Sequence, residues 1–471
     1  MKVRTMLSDA VSLFALPLFA VAIATNCAAA QSPGAPTPAS SASGCHVEAV
    51  NYKGWQGQQV SNRWVQLVVV PQNGGRLMQV TFAGHPYLFN NPKYLGKYLP
   101  PSATQWFNYG GDKIWLLPEG DDDEQHWKGN SDLLDDSPFT FRKVSEGTRC
   151  EIELTGPADP LTGIQFIRTI RLDSDSPQIR FHVTMKNTSG HSLEWSMQSV
   201  SQYDTSESAS QSQMNHNFWT FTPANPSSSY LNRYHVRFGP AENSAVGVRE
   251  DGLFTVHYVS MAAELWLDST DGWLAVVDGS SRYAMVERFR YEENKPYPGK
   301  ASVIFWTNGP ELHLSPEGTV SVSKDAEDSH PYYLEAELNS PLCRLRPGES
   351  CDLDTEWLPT RAGEEFHGAT DAGIVVHPLH ASLLESGKVR LSGSFGVFFS
   401  GQLVAHFYDQ HGSSVGIVPV GDVEPTELVK IETEVAPQGK AGRVSLHLED
   451  RSGLDRGALQ EIRVSNGENG R

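Results

Sequence analysis

Asn108-Tyr109-Gly110-Gly111-Asp112-Lys113-Ile114-Trp115-Leu116-Leu117-Pro118-Glu119 gathers, in one short run, the residue types that recognise a sugar. Trp115 offers a flat apolar face to the C–H side of a pyranose ring, and the flanking Trp106 and Trp127 offer two more. Asn108, Asp112, Lys113 and Glu119 can exchange hydrogen bonds with hydroxyl groups. Gly110 and Gly111 let the backbone bend or approach a ligand closely. The plainer account of the same run is a Gly-Gly turn before a strand whose tryptophan is core and whose charges face water. An acidic stretch, Asp121-Asp122-Asp123-Glu124, leads on to His126. It lacks the alternating ligand spacing of a calcium loop, and like-charge runs usually face solvent. The reading therefore assigns no metal and no cofactor.

The elements that must position these residues are strands. Residues 64–70 and 76–82 are β-rich runs turned at Asn73-Gly74-Gly75, which predicts a hairpin. Further strands are expected at 150–155, 164–172, 179–187 and 194–202, with short turn-like interruptions that make neighbours antiparallel. Residues 204–232, rich in Ser, Gln and Asn, are expected to form a long surface loop. Strand patterns resume at 265–267, 273–277, 284–289, 302–306, 332–338 and 352–357. Without a long helical pattern or βαβ alternation, residues 45–360 are expected to form a large antiparallel sandwich. Residues 361–471 carry strand-like runs at 388–394, 401–408, 428–433 and 442–448, spaced as in an immunoglobulin-like β-sandwich. The last residues, 465–471, are expected to fray.

Composition narrows the class of partner. The 471 residues carry a formal net charge of −19, which disfavours nucleic acid and anionic membrane surfaces and leaves a neutral or cationic ligand as the better fit. Lys2 and Arg4 precede an apolar run from Ala10 to Thr25 and the small residues Ala28-Ala29-Ala30, so residues 1–30 read as an export signal. A periplasmic or extracellular location follows. Lipidation at Cys27 is the weaker alternative, because Ala24-Thr25-Asn26 make a poor lipidation site. Residues 31–44 form a Pro/Ser/Ala linker expected to be disordered, and no later stretch is apolar enough to span a bilayer. Cys343 and Cys351 flank the turn signal Arg346-Pro347-Gly348-Glu349 and are expected to pair; Cys45 with Cys150 follows by elimination.

Three runs carry a resemblance to a known family. Gly74-Gly75-Arg76-Leu77, Tyr109-Gly110-Gly111-Asp112-Lys113-Ile114-Trp115 with Pro118-Glu119, and Glu335-Ala336-Glu337 followed by Ser340-Pro341-Leu342 and Leu345-Arg346-Pro347-Gly348-Glu349-Ser350 resemble an uncharacterised bacterial family of the galactose-mutarotase-like superfamily. The resemblance covers residues 48–360. It implies an all-β fold, a galactose-mutarotase-like β-supersandwich with a concave carbohydrate-binding face, here followed by the immunoglobulin-like β-sandwich. It also implies Arg76 as a sugar ligand, with a structural arginine pairing a carboxylate as the alternative. Aldose epimerases of the superfamily use a glutamate as base and a histidine as acid, a pairing suited to opening a sugar ring. The late glutamate is matched by Glu337 or Glu335, two residues apart and hence on one strand face. The histidines are not matched. Tyr109-Gly110-Gly111 stands where a His-Gly-Gly element is expected, and Met197-Gln198-Ser199 near the second histidine position, leaving Gln198 as a ligand and His126 or His85 as candidate acids. The implied function is an exported carbohydrate-binding protein. The alternatives are an aldose 1-epimerase-like enzyme and a relative of polysaccharide lyases or hydrolases.

Overall fold

Alternation along the strands decides the layers. In the computed structural model, which describes residues 44–102, 107–119, 133–207, 210–310, 312–314, 320–322 and 331–466, nearly every strand of the first 360 residues belongs to one of two large antiparallel sheets. Asp112–Leu117, Leu193–Asp204, Tyr333–Asn339, Val303–Thr307, Ala263–Leu267 and His235–Phe238 are consecutive neighbours in a twelve-stranded sheet. Leu334, Ala336 and Leu338 of one of these strands, with Val303 and Phe305 of the next, enter the shared core, while the residues between them face outward. A ten-stranded sheet closes the other side of that core with Ile170, Phe181, Leu274, Val276, Met285 and Trp357.

The ten-stranded sheet is apolar on both faces along Phe218–Pro223, Trp273–Asp278 and Tyr283–Phe289. Leu274 and Val276 point to the first core, whereas Ala275 and Val277, their sequence neighbours, join a second core with Ala284, Val286 and Leu358. That second core is completed by Ile374, Val376, Phe395, Phe398, Leu403 and Leu446 from the C-terminal strands. Coverage on both sides explains why Trp273–Asp278 reads as an unbroken hydrophobic run and not as an alternating one. The C-terminal residues form a five-stranded and a four-stranded sheet facing each other, an immunoglobulin-like sandwich packed on the ten-stranded sheet through that second core. Residues from Ala42 onward make up one compact unit.

Most expected strands are present, including the hairpin Val65–Val70 with Arg76–Phe82. The expected surface loop at 204–232 is corrected. Phe218–Pro223 within it is an interior strand of the ten-stranded sheet, paired with Leu253–His257 on one side and Trp273–Asp278 on the other. Its Phe-Trp-Thr-Phe-Thr core has the aromatic and β-branched content of a strand, which the polar flanks mask. At the tail, Ser465–Asn466 pairs in parallel with Ser382 and Leu383, so this part of the expected fraying is also corrected. Both expected disulfides form: Cys45 with Cys150, Cα atoms 5.8 Å apart, and Cys343 with Cys351, 6.6 Å apart. Residues 1–30, expected to be an export signal, Cys27 within them, the acidic run 121–124 and the three candidates Trp106, His126 and Trp127 lie outside the described residues. Among the described residues, no helix is long and apolar enough to cross a membrane.

Candidate functional site

Strand register assembles the site. Lys113 pairs with Val200, Val200 with Glu337, Glu337 with Ile304, Ile304 with Trp266 and Trp266 with His235, so one row of side chains crosses six strands on the outward face of the twelve-stranded sheet. A second row runs Gln202, Glu335, Trp306, Glu264. The first row, with Glu335, Trp306 and Glu264 of the second, floors a cleft of about 900 Å³. Its long wall is completed by Pro118 and Glu119 at one end and by Tyr230, Arg237 and the Pro298–Lys300 turn at the other.

Glu335 and Glu337 project side by side into this cleft, as their two-residue spacing implies. The side-chain amide of Gln198 donates to Glu337, and that of Gln202 donates to Glu335 at 2.5 Å. Burial, and then the nearby Glu335 and Glu264 carboxylates, push the Glu337 carboxyl well above the usual carboxylate range. A shift in this direction favours the protonated carboxyl, the form that can donate to a hydroxyl or ring oxygen. Glu264 is held by the indole N–H of Trp266 at 2.6 Å.

Three indoles border the carboxyl groups. Trp115 lies at the wall with only 7 % of its surface exposed, and the Lys113 ammonium sits 3.3 Å from its ring centroid. Trp266 and Trp306 are half-buried and more open. Phe238 stacks on Trp306 with centroids 5.7 Å apart, extending the apolar strip.

The twelve-residue run read from the sequence divides between two faces. Lys113, Trp115 and Glu119 line the cleft, but Asp112, one residue out of phase, points into the core. There its carboxylate pairs with Arg168 from the opposite sheet and accepts from Ser201 Oγ at 3.3 Å. Asn108 turns inward, accepting from the Gly110 N–H at 3.1 Å. Arg76 is wholly buried and pairs with Asp135 at 2.7 Å, away from the cleft. Burial lowers the Lys113 pKa, an effect partly offset by Asp135, 3.4 Å away. His85 packs against Tyr283 and Tyr87, also outside the cleft. Sequence reasoning missed Glu264, Trp266, Trp306, Tyr230, His235 and Arg237. Their strands are recognisable, yet only the register shows that they neighbour Glu337. His235 shares the row with Glu337 but stands three strand spacings, about 14 Å, from it. Among the described residues, no group of three or more His, Cys, Asp or Glu side chains is arranged to hold a metal ion.

The fold is an all-β sandwich of two large antiparallel sheets, with the cleft on the outer face of one of them. No family model and no curated protein matches the chain. Among solved structures it is similar to a TPR-domain containing protein from Parabacteroides distasonis, at 15 % identity over 65 % of this chain and 47 % of that one, with a TM-score of 0.43. The match thus spans about half the length of that protein. It is also similar to a galactose mutarotase-like protein from Clostridium acetobutylicum, at 11 % identity over 68 % of this chain and 99 % of that one, TM-score 0.41. A galactose mutarotase related enzyme from Lactobacillus acidophilus is similar at 9 % identity over 66 % and 99 %, TM-score 0.41.

Proposed function

We propose that the protein is an exported carbohydrate-binding protein whose ligand lies along the concave cleft. The observation that carries this reading is the cross-strand lattice that sets Glu335 and Glu337 among Trp115, Trp266 and Trp306. Indole faces take the apolar side of a sugar ring, while carboxyl groups and the Gln198 amide take its hydroxyls. Export agrees with the basic and apolar N-terminal run and with two disulfides, which persist in oxidising compartments.

A second reading, an aldose 1-epimerase-like enzyme, is favoured by one feature, the raised pKa of Glu337 beside Glu335. A protonated carboxyl could serve as the acid for the ring oxygen while a neighbouring carboxylate takes the anomeric proton. Saturation-transfer NMR of the protein with neutral mono- and oligosaccharides, following anomer exchange in the same tubes, separates the two. Binding that Trp306→Ala abolishes, without faster exchange, supports a binding protein. Accelerated exchange lost in Glu337→Gln supports the enzyme, and no binding across the panel overturns both.

A further inference from the structure

We infer that the cleft takes an extended saccharide several rings long, with a unit bearing an oxyanion seated at the Arg237 and Lys300 end. The inference rests on the carbohydrate reading above and adds the ligand's length, charge and direction.

Length comes from the sheet. The row from Lys113 to His235 crosses five strand gaps, about 24 Å in all, which exceeds what one sugar ring can fill. Direction comes from charge. At the near end the Lys113 ammonium is matched by Asp135 at 3.4 Å. The middle is acidic, with Glu335, Glu337 and Glu264. At the far end Arg237 and Lys300 have no carboxylate within ion-pair distance among the described residues, in a chain whose net charge is −19.

These two cations are aimed by structure. A register shift between Val236 and Phe238 keeps Arg237 facing the cleft while Phe238 turns to stack on Trp306. The Arg237 guanidinium lies 5.9 Å from the Trp266 ring centroid. Lys300 has φ of 70°, a conformation rare outside glycine, and the preceding Gly299 is pressed so closely on Trp266 that a Cβ would lie 1.8 Å from its ring. The Tyr230 hydroxyl fastens the same turn by donating to the Gly299 carbonyl at 2.6 Å. An arginine fork beside an ammonium suits a carboxylate or a sulfate. An acidic unit placed over Glu335 and Glu264 would be repelled, so it is accepted only at the far end, about three strand spacings from Glu337.

Isothermal titration of the full chain tests this with a uronate tetrasaccharide, a sulfated tetrasaccharide, a neutral tetrasaccharide and a single uronate, each at low and high salt. One acidic tetrasaccharide should bind about tenfold or more tighter than the neutral one, an advantage that salt removes. The variant Arg237→Gln/Lys300→Gln, at two exposed positions, should lose that advantage, so that acidic and neutral tetrasaccharides bind it alike. Which acidic tetrasaccharide wins identifies the oxyanion. Equal binding of acidic and neutral tetrasaccharides, unchanged in the double variant but lost in Trp306→Ala, overturns the inference and leaves the carbohydrate reading standing. A single uronate binding as tightly as its tetramer overturns the extended ligand. No binding by any saccharide overturns both readings.

Discussion

Arg76 and Asp135 meet at 2.7 Å, and neither side chain has any exposed surface. The arginine closes the hairpin from Val65 to Phe82 against the single helical turn Leu133–Asp136, and its other NH group lies 3.4 Å from the Gly110 carbonyl. Removing one partner of a buried pair leaves the other charged and unsolvated. Arg76→Met is therefore expected to lower stability by about 3–5 kcal/mol in urea denaturation, with saccharide affinity of the folded fraction nearly unchanged. A large affinity loss at unaltered stability would return Arg76 to the ligand site.

Glu287 gives a pH dependence with a definite sign. Burial, chiefly, raises its carboxyl from 4.5 to about 8, while Tyr203 donates to its Oε1 at 2.5 Å. The folded protein then keeps a proton that the unfolded chain loses. Its contribution to stability is full below about pH 4.5, declines as pH rises and is gone above about pH 8. Subtracting the denaturation midpoints of Glu287→Gln from those of the wild type should expose this falling limb. A flat difference across that interval would show that Glu287 is ionised in the fold.

Gly299 is expected to be intolerant of a methyl group. Its φ of 56° and the 1.8 Å approach of a modest Cβ to Trp266 mean that Gly299→Ala must displace the indole or the turn. A stability loss of about 1–3 kcal/mol is expected, together with a several-fold drop in saccharide affinity and a shifted tryptophan emission. Wild-type affinity in this variant would remove the turn from the cleft's working parts.

The two disulfides should differ in worth. Cys45 and Cys150 close a separation of 105 residues, Cys343 and Cys351 one of 8. Serine pairs are expected to cost about 4–5 kcal/mol at the first and about 2–3 kcal/mol at the second, by the loop-entropy relation. Equal losses in parallel urea titrations would point to native-state contacts as the common cause.

Legibility followed from how local each signal was. The common face of Glu335 and Glu337 could be read from a two-residue period, and so could that of Lys113 and Trp115. The same period explains why Asp112 is lost from the cleft: its odd phase delivers it to Arg168 across the core. Trp266 and Trp306 could not be assigned from sequence, since a strand pattern fixes which face a residue takes and leaves its neighbours open. Glu337 meets Trp266 only because Ile304 lies between them in register. Arg76 was ambiguous for another reason. An arginine fork fits a sugar and a carboxylate alike, and Asp135, its partner, lies 59 residues away.

The ten-stranded sheet serves as a party wall between two cores, and this has a thermodynamic consequence. Ala284, Val286 and Leu358 share a core with the C-terminal sandwich, while Met285 and Trp357, their sequence neighbours, share one with the cleft-bearing sheet. Loss of either partner would wet half of the same strands, so neither sandwich can melt and leave the other's free energy intact. Calorimetry should therefore show one cooperative transition in which ligand bound at the cleft raises the melting temperature of the C-terminal strands as well.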